Sequence, residues 1–141
     1  MILDTTYLLA LARIAIDTDL LAAVARKEVD LKLEDVAVSL ISLFELQAKA
    51  AKLNIPPESA VRAATAVLTA FRVEPFYRAE IVEASYELRK AIPNYLDYVI
   101  VATAIVLKED LLTEDSLILA KAKAIGEKYN TKVLRFKELM Q

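Results

Sequence analysis

Four carboxylates stand where chemistry is possible: Asp4, Glu45, Asp97 and Asp115. Asp4 directly follows the apolar run Met1-Ile2-Leu3, and Asp115 follows Leu111-Leu112-Thr113. Glu45 falls in the first turns after Val36-Ala37-Val38. Asp97 precedes Tyr98–Leu107, which is apolar except for Thr103. A carboxylate beside such a segment must be hydrogen-bonded, paired or metal-bound, because an isolated buried charge is very costly. Carboxylates crowded within a few ångströms repel, and one or more is protonated at neutral pH unless a cation screens them. A hard cation such as Mg²⁺ or Mn²⁺, held by oxygen, resolves that repulsion and gives the cluster a purpose.

The competing reading is helix capping. Asn94-x-x-Asp97 and Ser42-x-x-Glu45 match capping boxes, and Asp4 and Asp115 suit N-caps, where the helix dipole favours acids. Any one of the four is accounted for in this way. A sequence that needed only caps would vary Ser, Thr, Asn and Asp, whereas every candidate crevice position here is an acid.

Composition narrows the chemistry further. With no Cys and no His, there is no thiol nucleophile, zinc-thiolate site, Ser-His-Asp triad or imidazole base. A net charge of −2 gives no basic footprint, so nucleic acid must be met by a local patch. The 57% hydrophobic content of 141 residues predicts one folded domain spanning the chain, 1–141. No basic segment precedes Tyr7–Ala12, so the start does not read as a signal peptide and a cytoplasmic protein is expected. The apolar run after Asp97 is well short of the ~20 residues a membrane helix needs, which predicts a buried helix and no membrane partner.

The elements that must position these acids read as short apolar strands alternating with helices. Strands are expected at 1–3, 36–38, 71–74, 110–113 and 131–134. Helices are expected at about 5–13, 18–26, 57–71, 77–91, 94–107 and 115–128, and one opened by Ser39 or Ser42 runs to about Leu53. Asn54-Ile55-Pro56-Pro57 separates two of the helices, with Pro57 at the first turn of the second. The alternation predicts an α/β fold, a three-layer α/β/α sandwich around a mainly parallel sheet of four or five short strands. Ligands of such sheets bind beyond the carboxyl ends of the strands, where three of the four acids fall.

The chain resembles the PIN-domain family, in particular the VapC-type toxins of prokaryotic toxin–antitoxin pairs. The resemblance is carried by Ile2-Leu3-Asp4-Thr5-Thr6, Ser42-Leu43-Phe44-Glu45-Leu46, Asp97-Tyr98-Val99-Ile100-Val101-Ala102-Thr103-Ala104 and Leu112-Thr113-Glu114-Asp115, in that order along the whole chain. It implies a Mg²⁺- or Mn²⁺-dependent ribonuclease in which Asp4, Glu45, Asp97 and Asp115 form the acidic quartet. Thr6 matches the small polar residue that orients the first acid, and Thr113 matches the threonine of the last motif. The sequence departs from the pattern at Ser116-Leu117-Ile118, where the family often carries a further acid and an aromatic residue. An RNA substrate, an antitoxin partner and a homodimer are also implied.

Lys49 and Lys52 follow Glu45 by four and seven residues on the same helical face, where they could contact RNA phosphates. A Glu45–Lys49 pair at i,i+4 would be an ordinary surface support. Tyr7, Tyr95 and Tyr98 could stack on bases or pack in the core. Two rivals remain. A phosphotransfer receiver needs an acid pair after the first strand, and none is present. A catalytically silent PIN-like domain that binds RNA or protein would keep the fold without the chemistry.

Overall fold

The computed structural model describes residues 1–140. Five strands form one sheet: β1 (Ile2–Leu3), β2 (Ala37–Ser39), β3 (Arg72–Glu74), β4 (Leu111–Leu112) and β5 (Val133–Leu134). Their order is β3-β2-β1-β4-β5, and every neighbouring pair is parallel. The strands are short, and their register decides which side chains face which layer. Ile2, Ala37, Leu111 and Val133 point to one face; Leu3, Val38 and Leu112 point to the other. Successive strand residues face opposite ways, so an apolar run of two or three residues supplies both cores.

The first face is covered by α4 (Ala79–Leu88), α5 (Tyr95–Leu107), α6 (Ser116–Ala120) and α7 (Ala122–Tyr129), through Ile81, Ile100, Ile118 and Ile125. The second is covered by a 3-10 helix at Thr5–Ala12, α1 (Leu20–Ala25) and α3 (Pro57–Ala70), through Tyr7, Leu8, Leu20 and Val67. Between the 3-10 helix and α3, helix α2 (Leu40–Lys52) buries Leu46 against Ala12, Ile14 and Ala63. This is the expected three-layer sandwich. Helix α5 explains its own composition: seven consecutive residues, Tyr98 to Ala104, are buried, and Thr103 satisfies its hydroxyl by donating to Val99 O at 2.7 Å. Among the described residues no helix is long and apolar enough to cross a membrane.

Several boundaries differ from the sequence reading. Residues 5–12 form a 3-10 rather than an α-helix, closed by Arg13 in the left-handed region (φ 61°). The helix expected over 115–128 is broken at Lys121 into α6 and α7. Gly126 lies inside α7. Helix α4 is shorter at both ends than 77–91. Ser39 closes β2 and also caps α2, accepting from Ile41 N, so Ser42 lies inside the helix and Ser42-x-x-Glu45 is not a capping box.

Candidate functional site

The chain winds from central β1 to β2 and β3 on one side, then to β4 and β5 on the other. Such a reversal opens a crevice at the carboxyl ends of the central strands. Asp4 leaves β1 there. Register Leu3↔Leu112 sets Asp4 opposite Thr113, and Asp4 N donates to Leu112 O at 3.0 Å. Helix α2 brings Glu45 over the same edge, and Asn94 caps α5 so that its first turn presents Asp97. A cavity of about 540 Å³ results, lined by Asp4, Glu45, Asp97 and Asp115 together with Thr6, Lys49 and Lys52. The four acids named from sequence, separated by up to 111 positions, thus share one cavity.

Three of the four carboxylates are held by identifiable partners. Asp4 is buried (7% exposed); Thr5 N donates to its Oδ1 at 2.7 Å and Thr113 Oγ1 donates to its Oδ2 at 2.5 Å. Thr113 Oγ1 in turn accepts from Asp115 N at 3.0 Å, which ties the first acid to the last. Asp115 Oδ1 caps α6, accepting from Leu117 N and Ile118 N. Thr5 Oγ1 lies 2.9 Å from both Glu45 Oε1 and Ser42 Oγ. With one hydroxyl proton, it serves the carboxylate and accepts from Ser42. Asn94 caps α5 through Leu96 N. Among the described residues Asp97 makes no return bond to Asn94, so the capping-box reading of Asp97 does not hold.

Burial pushes the Asp4 and Glu45 carboxyls above their usual range, against the hydrogen bonds that favour their ionised forms; Asp115 adds to the rise at Asp4, and Asp4 to that at Glu45. Asp97 is pushed up to about 7, first by burial and then by Asp115, Asp4 and Glu45. The site therefore carries more negative charge than its surroundings offset. Its donors are all oxygen, which suits a hard divalent ion. As the side chains stand, no group of three or more carboxylates among the described residues converges closely enough to hold one. The bonds to Thr113, Thr5 and the α6 amides explain why, since they turn Asp4, Glu45 and Asp115 toward protein donors. The donor chemistry fits a divalent ion, and binding one requires these side chains to turn inward.

Thr113 follows β4, and its hydroxyl donates to Asp4 Oδ2. Thr6 lines the cavity, but among the described residues the bonds that fix Asp4 come from Thr113 and the Thr5 backbone, and the hydroxyl at work on α2 is Thr5. Thr5 and Ser42 were not singled out from sequence. Glu114 also lines the cavity, yet its Oε1 accepts from Tyr7 Oη and Phe136 N. Tyr7 is fully buried in the core with its hydroxyl on Glu114, and Tyr98 is 7% exposed with its hydroxyl on Arg89 O, so neither is free to stack on a base. Lys49 and Lys52 stand exposed at the cavity wall, and among the described residues Lys49 forms no ion pair with Glu45.

Thr113→Val tests the link between acids. It keeps volume, removes the hydroxyl and leaves buried Asp4 Oδ2 without its donor. Any activity that depends on Asp4 should fall about 10- to 100-fold, and chemical denaturation should show a loss of about 1–3 kcal/mol.

A parallel α/β sandwich with an acidic crevice at its switch point defines the class. Within that class the chain belongs to the PIN domain family, whose model matches residues 1–128. Among solved structures it is similar to a toxin–antitoxin complex from Klebsiella pneumoniae, at 25% identity and TM-score 0.62, over 82% of this chain and 86% of that one. It is also similar to VapBC2 from Rickettsia felis bound to a promoter DNA fragment (20% identity, TM-score 0.63, 95% and 96% covered). A third is FitAcB from Neisseria gonorrhoeae (21% identity, TM-score 0.68, 99% and 100% covered). No curated protein matches the sequence.

Proposed function

We propose that the protein, acting as one domain in the cytoplasm, is a divalent-metal-dependent ribonuclease that hydrolyses RNA phosphodiester bonds. We propose further that it is the toxin of a toxin–antitoxin pair and forms a homodimer. The observation that carries the reading is the meeting of Asp4, Glu45, Asp97 and Asp115 in one cavity, with Asp97 pushed up to about 7. Membership of the PIN domain family and the likeness to toxin–antitoxin complexes support it.

Asp4 and Asp97 would hold Mg²⁺ or Mn²⁺, with Asp115 and Glu45 completing the set directly or through water. When bound, the ion supplies Lewis acidity, lowering the pKa of water and offsetting phosphate charge. The protein's own part is acid–base work and positioning. Glu45, partly buried and oriented by Thr5, accepts the proton of the water that attacks phosphorus as the bond to the leaving oxygen breaks, and solvent water protonates that oxygen. Asp115 can take that role in its place. Thr113 holds Asp4 in register with Asp115. Lys49 and Lys52 contact phosphates from the α2 wall.

A silent, RNA- or protein-binding domain of the same fold would have to tolerate the same unmet charge balance. The test is cleavage of labelled RNA with Mn²⁺ or Mg²⁺, with EDTA, and with Asp4→Asn. Cutting should be lost in both controls. Cutting that survives both overturns the reading, and RNA binding without any cutting supports the silent domain.

A further inference from the structure

An acidic cavity in a chain of net charge −2 repels the phosphates it is to receive. Affinity for RNA must therefore come from groups outside the acids. Where the end of α4 meets the first turn of α5, an aromatic cluster leaves two rings exposed. Asn94, Leu96 and Asp97 line the cavity; Tyr95, on the same first turn of α5, lies outside that lining and is 49% exposed. Its ring centroid is 6.5 Å from that of Tyr86 and 5.7 Å from that of Tyr98, both edge-on at 83° and 78°. Tyr86 is 55% exposed, and the Arg89 guanidinium lies 5.7 Å over its ring. Tyr98 Oη donates to Arg89 O at 2.8 Å, which ties the end of α4 to the start of α5 beneath the cluster. Packing of these two helices is already supplied by Ile81, Leu88, Ile92 and Ile100, all buried.

We propose that Tyr86 and Tyr95, with Arg89 beside them, form a platform on which unpaired bases of single-stranded RNA stack as the strand enters the cavity. The proposal deepens the ribonuclease reading and rests on it. Three features favour this occupant. The exposed rings belong to tyrosines held upright by edge contacts with neighbouring rings, which suits stacking against a planar base. Exposed cations, Arg89 and Lys90, are interleaved with them and can meet phosphates. Tyr95 shares the first turn of α5 with Asp97, whereas Lys49 and Lys52 stand on α2, so a strand that leaves the cavity past α5 can reach the rings while its phosphates meet cations on α2. Duplex RNA, whose bases are already stacked, cannot use the platform.

Binding of a fluorescent single-stranded oligoribonucleotide, followed by anisotropy with Mg²⁺, tests this in an Asp97→Asn background that does not cut. Adding Tyr95→Ala should weaken binding about 5- to 100-fold, and Tyr86→Ala should weaken it too. Tyr95→Phe should restore binding, since stacking needs the ring and not the hydroxyl. Duplex of the same sequence should bind all variants alike. Unchanged single-strand affinity in Tyr95→Ala overturns the platform while leaving the ribonuclease reading intact. Light scattering that shows Tyr95→Ala dissociating a dimer, with affinity per protomer preserved, overturns it in favour of an interface between copies. If the background protein binds no RNA and the wild type cuts none, the platform and the ribonuclease reading fall together.

Discussion

Asp97→Asn should make the metal-free protein more stable at pH 8 while removing the RNA cleavage proposed for it. Asp97 is pushed up to about 7 by burial and by three neighbouring carboxylates, against an ordinary value of 3.8. Its folded state therefore holds a proton that the unfolded chain has released, and stability falls as pH rises from about 4 through about 7. At pH 8 the folded protein carries an ionised Asp97 facing Asp115, Asp4 and Glu45. Asparagine keeps the shape and removes that charge. The group is partly exposed and screened by solvent, so the gain is about 1 kcal/mol, or about 2–6 °C in Tm for a chain of this size. It should shrink toward pH 5, where the wild-type side chain is already protonated. Cleavage should drop by more than about 100-fold, beyond the loss typical of a residue that only supports a ligand. A helix cap would behave oppositely, since its removal costs about 0.5–2 kcal/mol. Scanning calorimetry at pH 5 and pH 8 decides: a fall in Tm at pH 8 would make Asp97 an ordinary structural acid.

What sequence could and could not reveal follows from which interactions are local. Ile2-Leu3 and Leu111-Leu112 are legible as strands because a short apolar run bounded by acids has few other uses in a parallel sheet. Helix α5 is legible because its length and near-total apolarity demand burial on all sides. The 3-10 helix at 5–12 was not, because it is set by the tight exit from β1, where Asp4 takes the Thr5 amide, and by the left-handed turn at Arg13. The break at Lys121 depends on how α6 and α7 pack, which no local signal encodes.

The acids themselves were legible as a class, since each follows a strand or opens a helix. Of their hydroxyl partners only Thr113 was named, through the family resemblance, and Thr5 was not. Thr113 reaches Asp4 across 109 positions because β4 lies beside β1, and Thr5 reaches Glu45 across 40 because β2 lies on its other side. Sheet order decides these contacts, and alternation of strands and helices does not specify sheet order. Given β1 between β2 and β4, the pairing Leu3↔Leu112 alone places Thr113 against Asp4, and the hydroxyl then follows from residue type.

Divalent cations should stabilise the protein in a way that depends on pH in a particular sense. Asp4, Glu45 and Asp97 all have folded values raised above their ordinary ones, so without metal each makes folding less favourable as pH rises. A cation binds only the ionised carboxylates and must expel their protons, which makes its affinity greater at higher pH. Mn²⁺ at about 100 times its Kd should add about 2.7 kcal/mol of stability. That Tm gain should be larger at pH 8 than at pH 5, so the metal flattens or reverses the decline seen without it. The gain has a built-in opponent: the bonds from Thr113 to Asp4 and from the α6 amides to Asp115 must loosen for the carboxylates to turn toward an ion. Thr113→Val should therefore alter the Mn²⁺ response, and Asp4→Asn should remove it. A shift of equal size at both pH values, or one that persists in Asp4→Asn, would place the bound ion on surface carboxylates and leave the crevice without its cation.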